Sequence, residues 1–142
     1  MNLFKVAGAA ALIGFALSTP ALADGDAAAG EKTFKKCVAC HKVGEGAKNA
    51  VGPQLNGIVG RAAGTAPDFK YSQLNQNAGA AGLIWTEENI LAYLPDPNGF
   101  LKKFLTDAGK ADQIAGATKM TFKLADETER KNVIAYLKTF AK

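Results

Sequence analysis

The chain has 142 residues, 48% of them hydrophobic and 21% charged, and its formal net charge is +4. This length suits one compact domain with a single modest core, which excludes two independently folding units. The charge is too small and too mixed to indicate a nucleic-acid-binding protein, because acidic residues are interleaved with the lysines and only two arginines occur.

The first 23 residues have the pattern of a secretory signal peptide. A single cation, Lys5, precedes an apolar run over residues 6–17, and the segment ends in Ala21-Leu22-Ala23, a small-residue cleavage pattern. The run is too short to cross roughly 30 Å of hydrocarbon as a helix, which disfavours the alternative of an uncleaved membrane anchor. We therefore expect an exported, periplasmic protein that does not span the membrane, with a mature domain over residues 24–142.

The mature segment begins with a predicted helix over residues 26–37, in which Gly30, Phe34 and Cys37 fall on one stripe. Residues 42–70 contain eight glycines and prolines and show neither a helical nor a strand period, which predicts a long loop. Such a loop is unusual in a small domain unless it packs against something large, such as a cofactor.

Two helices are predicted in the middle of the chain. A short one covers residues 71–77. Thr86 is suited to begin a second helix that continues to Leu94, because its hydroxyl can accept a hydrogen bond from a free backbone N–H. Pro95 and Pro97 would end that helix.

Two more helices complete an all-α prediction without strands. Apolar positions at helical spacing over residues 100–105 predict one helix, which Gly109 would stop. Asp126, with Glu129 three residues later, is typical of a capping box that opens the last helix. The apolar face of that helix consists of Val133, Tyr136, Leu137 and Phe140.

The motif Cys37-Val38-Ala39-Cys40-His41 carries the strongest chemical signal. Two cysteines separated by two residues can each form a thioether with a porphyrin, and the histidine that follows is then placed at the iron. Neutral imidazole is a good iron ligand, and His41 is the only histidine in the chain. The motif predicts one covalently attached haem c per chain, with His41 as an iron ligand.

Three other uses of a close cysteine pair are weaker. A disulfide between Cys37 and Cys40 would close a tiny loop and stabilise little. Tetrahedral zinc needs further ligands, and the chain has no other Cys or His beyond His41. A redox-active pair of the thioredoxin type would need a βαβ context and a helix N-terminus that lowers the thiol pKa, and the sequence shows neither.

Met120 is the predicted second axial ligand, because it is the only methionine left once residues 1–23 are removed. A lone methionine usually fills a gap in a core. Given a haem, however, the glycine-containing segment 116–122 can bring its thioether to the iron, where it favours Fe(II) and raises the reduction potential. With both axial positions filled, we expect one-electron transfer and no enzymatic activity.

The mature chain is similar to class I cytochromes c, in particular to the long bacterial c2-type cytochromes. The attachment motif lies near the N-terminus and Lys119-Met120-Thr121-Phe122 near the C-terminus, unlike the order in a four-helix cytochrome c′. The resemblance implies a small class I fold, with crossing terminal helices and loops wrapped around one haem. The matches between the two ends, in the family's order, are Gly52-Pro53-Gln54-Leu55, Gly60-Arg61, Tyr71, Asn75, Trp85, Tyr93-Leu94 and Pro97.

The resemblance implies roles for four residues near the axial histidine and the haem propionates. The Pro53 carbonyl would accept a hydrogen bond from the His41 imidazole and so orient it. Arg61, Tyr71 and Trp85 would surround the propionates, since unpaired carboxylates are costly inside a small core. The alternative interpretation is a surface cation and two ordinary core aromatics.

Two further pairs of residues match family positions. Asn75 and Tyr93 would belong to a polar network near the methionine sulfur. Gly30 and Phe34 match first-helix positions that cross the last helix, where a glycine lets two backbones approach. The positions that they would meet are Val133 and Tyr136.

The chain departs from the short family members next to Met120. It carries an extra segment around residues 106–115, whose role stays open, and it reaches the methionine through Ala115-Gly116-Ala117-Thr118-Lys119 instead of the common Pro-Gly-Thr-Lys. A looser methionine loop would favour the competing hypothesis, an enzyme or gas-binding sensor in which Met120 is easily displaced and the iron meets peroxide, NO or CO.

As a carrier, the protein is expected to be a monomer that docks with membrane electron-transfer complexes. The resemblance implies a bc1-type donor and either a terminal oxidase or a photosynthetic reaction centre as acceptor. Five lysines flank the two ends of the predicted haem site and would steer acidic partners, although each could instead belong to a generic solvated face. These lysines are Lys32, Lys35, Lys36, Lys119 and Lys123.

Overall fold

The computed structural model describes residues 25–140, and the predicted all-α class is confirmed there. The predicted signal peptide, residues 1–23, lies outside the described residues. Between residues 25 and 140 there is no strand, only an isolated antiparallel bridge between Ala62 and Ile84. None of the helices in this range is long and apolar enough to span a membrane. The helices are α1 (Ala27–Phe34), α2 (Gln73–Ala80), α3 (Glu87–Tyr93), α4 (Pro97–Asp107) and α5 (Glu127–Lys138), with a short 3-10 helix at Ala111–Gln113.

Helix α1 begins at a side-chain cap and ends earlier than predicted. The Asp26 carboxylate accepts hydrogen bonds from the N–H groups of Ala28 and Ala29 at 2.8 and 3.1 Å. Helix was predicted as far as Cys37, but it ends at Phe34, because the following N–H groups bond only three residues back. The last of them, Cys37 N, donates to Phe34 O at 2.7 Å. This tighter winding leads the chain into the cysteine motif.

Helices α1 and α5 cross at a glycine, as the resemblance implied. A Cβ atom at Gly30 would overlap the backbone carbonyl of Asn132, so only glycine lets the two helices come this close. Beside it, the rings of Phe34 and Tyr136 have centroids 5.5 Å apart, and Val133 is buried. The crossing joins the first and last helices of the described chain.

Helix α5 begins after the predicted Asp126, but the predicted capping box forms in only one direction. Asp126 Oδ1 accepts a hydrogen bond from the Glu129 N–H at 2.8 Å. The Glu129 carboxylate contacts Lys36, whose Nζ donates to the two oxygens at 2.6 and 2.8 Å. Because Lys36 follows α1, this ion pair joins the two crossing helices, a contact that local spacing could not show.

Helix α2 lies further along the chain than the predicted residues 71–77. Ser72 Oγ accepts a hydrogen bond from the Asn75 N–H at 3.2 Å, so the helix covers Gln73–Ala80. Its second half continues past the polar residues because Ala78 is fully buried in the core. Tertiary packing therefore determines the end of this helix.

The residues predicted to begin and end α3, and the glycine predicted to stop α4, do so in the structure. Thr86 Oγ1 accepts a hydrogen bond from the Asn89 N–H at 3.1 Å, and α3 ends at Tyr93. Pro97 has a second role, since it is the first residue of α4, where a missing N–H costs nothing. Gly109 follows the end of α4 with a φ of +71°, the left-handed conformation that closes many helices.

The long loop over residues 42–70 is ordered by backbone hydrogen bonds to the segment before α3. The N–H groups of Ala63 and Trp85 donate to Leu83 O and Arg61 O at 2.8 and 2.9 Å. The loop is thus part of the packed domain. Four leucines with no exposed surface form the centre of the core: Leu74, Leu83, Leu101 and Leu105.

Candidate functional site

The cysteine motif forms a compact turn after α1. Cys40 N and His41 N both donate to Cys37 O, at 3.0 and 2.9 Å, and the two thiols are half-buried and not joined in a disulfide. Burial, followed by the neighbouring Cys40, raises the pKa of the Cys37 thiol, the opposite of what a redox-active pair needs. Residues 25–140 contain no cluster of three or more His, Cys, Asp or Glu residues that could hold a metal ion.

The His41 ring is held by the backbone of the loop that follows, as the resemblance implied. Its Nδ1–H donates to the Pro53 carbonyl at 2.8 Å. Because a carbonyl only accepts, Nδ1 carries the proton and Nε2 keeps a lone pair for a metal. Burial lowers the pKa of His41, the Pro53 hydrogen bond opposes this and the Arg61 charge adds to it, so the neutral imidazole is favoured.

Gly52 sets how closely the loop approaches the His41 ring, and it was not among the site residues predicted from the sequence. Its N–H donates to Cys40 O at 2.8 Å. A Cβ atom at this position would lie 2.5 Å from His41 Cε1, so only glycine fits. The available signal was the Gly52-Pro53 pair among the ordered matches.

Arg61 and Asn75 carry buried polar atoms that have no protein partner among the described residues. The Nη atoms of Arg61 each donate to Gln54 O at 3.1 Å, but its Nε is buried and unpartnered, as is Asn75 Oδ1. Within residues 25–140 no acid forms an ion pair with Arg61, and burial lowers the pKa of its guanidinium. A buried cation is costly without an anion, so this region fits carboxylates such as haem propionates.

Tyr71 and Trp85 lie close to Arg61, and the structure therefore brings together the three residues predicted at the propionates. Trp85 N donates to Arg61 O, and Tyr71 is near enough to influence the pKa of the guanidinium. Tyr71 also orders the loop before α2, because its Oη accepts a hydrogen bond from the Ala66 N–H at 2.9 Å. Contact of the three with propionates stays a prediction.

Met120 lies beside Tyr93, as the resemblance implied. The Tyr93 hydroxyl donates to Met120 Sδ at 3.5 Å. Burial raises the pKa of Tyr93 to about 12, with a smaller opposing effect from Thr118, so the hydroxyl keeps the proton that it donates. The Met120 N–H donates to Thr118 Oγ1 at 3.3 Å. The predicted membership of Asn75 in this network stays a prediction.

A series of aromatic rings joins the two ends of the site. The ring centroids of Trp85 and Tyr93 are 4.7 Å apart, and Phe100 lies 6.1 and 5.8 Å from them. Trp85 contacts Arg61 at one end of this apolar wall, and Tyr93 contacts Met120 at the other. The residues present therefore fit a haem: thiols and an imidazole nitrogen in the cysteine motif, a thioether beside Tyr93, and an apolar wall next to a cation that no acid among the described residues neutralises.

Comparison with known proteins identifies the family. Residues 27–141 match the family model described as cytochrome c. Cytochrome c2 iso-2 of Rhodospirillum centenum is 66% identical over 118 residues, which cover 83% of this chain and 98% of that protein. Cytochrome c2 of Rhodospirillum rubrum is 46% identical over 136 residues, or 96% of each chain.

Solved structures agree with the sequence relatives. A cytochrome c2 from Rhodospirillum centenum matches with a TM-score of 0.82 at 65% identity, covering 83% of this chain and all of that one. A ferricytochrome c2 from Rhodopseudomonas palustris matches with a TM-score of 0.77 at 63% identity, covering 81% of this chain and 98% of that one. The predicted resemblance and the predicted class I fold are both confirmed. The chain belongs to the cytochrome c family, as a bacterial class I cytochrome of the c2 type, an electron carrier with a covalently bound c-type haem.

Proposed function

We propose that the protein is a periplasmic one-electron carrier with one haem per chain, His41 and Met120 as axial ligands, and no enzymatic activity. The observation that carries this proposal is the Tyr93 hydroxyl at 3.5 Å from Met120 Sδ. Carrier and sensor differ in whether the sixth ligand stays in place. A sulfur that is oriented by a buried hydroxyl supports the carrier.

The residues of the site divide into those that bind the haem and those that orient its ligands. Cys37 and Cys40 would hold the group through thioethers. The bound group supplies one-electron chemistry between Fe(II) and Fe(III). Pro53 fixes the tautomer of His41, so that Nε2 is the ligating nitrogen.

The remaining site residues would control charge and solvent. Arg61 offers a buried positive charge to the propionates, with Tyr71 and Trp85 beside it. Asn75 adds a buried polar group at the start of α2. Tyr93 donates to the methionine sulfur and so reduces its electron density, which favours Fe(II) and a high reduction potential.

Docking through the five lysines is supported unevenly by their contacts. Lys36 is paired with Glu129 at 2.6 Å and Lys123 with Asp96 at 3.1 Å, so their positive potential is partly cancelled. The other three form no ion pair within residues 25–140, and Lys119 Nζ donates to the Lys70 carbonyl. Among the five lysines, the positive charge is therefore least neutralised at Lys32, Lys35 and Lys119.

The proposed partners are membrane electron-transfer complexes: a bc1-type donor, and a terminal oxidase or a photosynthetic reaction centre as acceptor. Unpaired surface lysines suit acidic docking sites that need fast, weak association. Nucleic acid is not among the proposed partners, because the charge is small and arginine is scarce. We propose that the carrier acts as a monomer.

Export to the periplasm is proposed from the signal-peptide pattern over residues 1–23. N-terminal sequencing of the protein recovered from a periplasmic fraction would test it. A first residue of Asp24 is expected, and an intact Met1 would contradict the proposal.

Carbon monoxide added to the reduced holoprotein at neutral pH, together with a redox titration, tests the carrier proposal. A protein with both axial positions filled should keep its visible spectrum under CO and titrate as one reversible one-electron couple. Rapid, tight CO binding would instead favour the competing sensor or enzyme. The absence of any haem spectrum would contradict both.

A further inference from the structure

The chain between the 3-10 helix and α5 approaches Met120 with little backbone support. Among the described residues, no backbone-to-backbone hydrogen bond involves residues 115–123; the next one is Leu124 N to Leu94 O at 2.8 Å. Gly116 has a φ of +67° and lies between two alanines, so residues 115–117 have no bulky side chain to fix them. We call residues 115–123 the methionine loop. Its position depends on side chains.

The first turn of α4 and the residue before it contact this loop on both sides of Met120. Before the methionine, the Thr118 N–H donates to Asn98 Oδ1 at 3.2 Å. After it, Lys123 pairs with Asp96 at 3.1 Å, but both side chains are more than half exposed, so that ion pair contributes little. The Asn98 contact is partly buried, and its acceptor follows the fully buried Pro97. Asn98 is therefore the better supported of the two.

The contacts form a continuous series from α4 to the sulfur. Thr118 N donates to Asn98 Oδ1, Met120 N donates to Thr118 Oγ1 at 3.3 Å, and Tyr93 Oη donates to Met120 Sδ at 3.5 Å. Without Asn98, the Thr118 backbone loses its partner, and the turn that presents Met120 to Tyr93 can open.

We infer that Asn98 is a positioning residue which, through Thr118, holds Met120 in place and limits how often the methionine loop opens. This inference rests on the proposed function, in which Met120 is an axial ligand. It also explains how this chain can reach Met120 through Ala115-Gly116-Ala117, which lack bulky side chains. The Asn98 side chain from α4 supplies the restraint that these three residues lack.

The test uses the oxidised holoprotein and imidazole, which can reach the sixth position only when Met120 leaves. Asn98→Ala should raise the rate of imidazole binding about fivefold, the factor by which one hydrogen bond of ordinary strength shifts a local opening equilibrium. Hydrogen exchange at the Thr118 amide should accelerate by a similar factor. Asn98→Asp, which keeps the acceptor oxygen, should restore both values.

A matched control is Asn132→Ala. Asn132 Oδ1 also accepts a hydrogen bond from a backbone N–H, that of Asp26 at 2.8 Å, but at the crossing of α1 and α5. Its loss should leave imidazole binding at the wild-type rate even if stability falls. If Asn98→Ala does not accumulate, Asn98→Leu, similar in shape and without an acceptor, replaces it.

The outcomes separate this inference from the proposed function. If the visible spectrum of the wild-type protein shows no methionine ligation, the proposed function is contradicted. If the wild type is methionine-ligated and Asn98→Ala binds imidazole at the wild-type rate, only the inference about Asn98 is overturned. Equal acceleration in Asn132→Ala would also overturn it, because the effect would then report general stability.

Discussion

On the His41 side of the proposed iron site, backbone groups hold the ligand in position. On the Met120 side, side chains hold the ligand. The imidazole donates to the Pro53 carbonyl, and Gly52 N donates to Cys40 O, so two chain segments are joined directly at the ring. The methionine loop has no backbone-to-backbone hydrogen bond of its own within the described residues.

This difference determines which substitutions the fold tolerates at little cost in stability. Alteration of the His41 side requires the backbone to move, and a close-packed interior resists such movement. The methionine side depends on single side chains such as Tyr93 and Asn98, which can be replaced without a new backbone path. We expect substitutions near His41 to affect folding, and substitutions near Met120 to affect potential and access to the iron.

Gly52→Ala should have the largest effect on stability. Its Cβ would lie 2.5 Å from His41 Cε1, and relief requires movement of the segment that carries Pro53. We expect the holoprotein to lose about 3 kcal/mol of unfolding free energy, measured by guanidinium denaturation. A loss below about 1 kcal/mol would mean that the ring moves freely, contrary to a rigid His41 side.

Gly116→Ala places the same added methyl group on the other side of the site. Gly116 has a φ of +67°, and nothing lies within 4 Å of the added Cβ. The cost is then conformational only, about 1 kcal/mol by the same denaturation measurement. A loss as large as that of Gly52→Ala would remove the contrast between the two sides.

Tyr93→Phe should change the reduction potential more than the fold. The variant keeps the buried ring and loses the hydroxyl that donates to Met120 Sδ. The sulfur then regains electron density and stabilises Fe(III), so the potential should fall by roughly 20 to 40 mV, equivalent to about 0.5 to 1 kcal/mol for one electron. Equilibrium redox titration checks this, and a rise in potential would contradict the assigned donor role.

The smallest effect on stability is expected for Lys32→Gln combined with Lys35→Gln. Both side chains are exposed and form no ion pair within the described residues, so unfolding should be unchanged. Electron transfer to an acidic partner should slow at low salt and approach the wild-type rate at high salt, because salt screens the lost attraction. Stopped-flow kinetics over a salt series measures this. A salt dependence equal to that of the wild type would remove these lysines from docking.

Local chemistry made much of the fold predictable. The starts at Thr86 and Asp126 depend on hydroxyl and carboxylate groups that accept nearby N–H bonds, and these formed as expected. The end of α1 and the second half of α2 could not be predicted, because they depend on the turn into the cysteine motif and on the burial of Ala78.

The candidate site shows the same limit. The cysteine motif, the sole histidine and the one methionine outside the predicted signal peptide were visible in the sequence, and the family resemblance supplied the partners Pro53 and Tyr93. The approach of Gly52 to the ring and the contact of Asn98 with Thr118 depend on how distant segments meet, so no local pattern indicates them.

Proton NMR of the reduced holoprotein tests axial ligation by Met120, on which the proposed function depends. A methionine methyl group held against the face of a porphyrin experiences a strong ring current. We predict one three-proton signal far upfield in the wild type, absent in Met120→Ala. No such signal in the wild type, or its persistence in Met120→Ala, would contradict axial ligation by Met120.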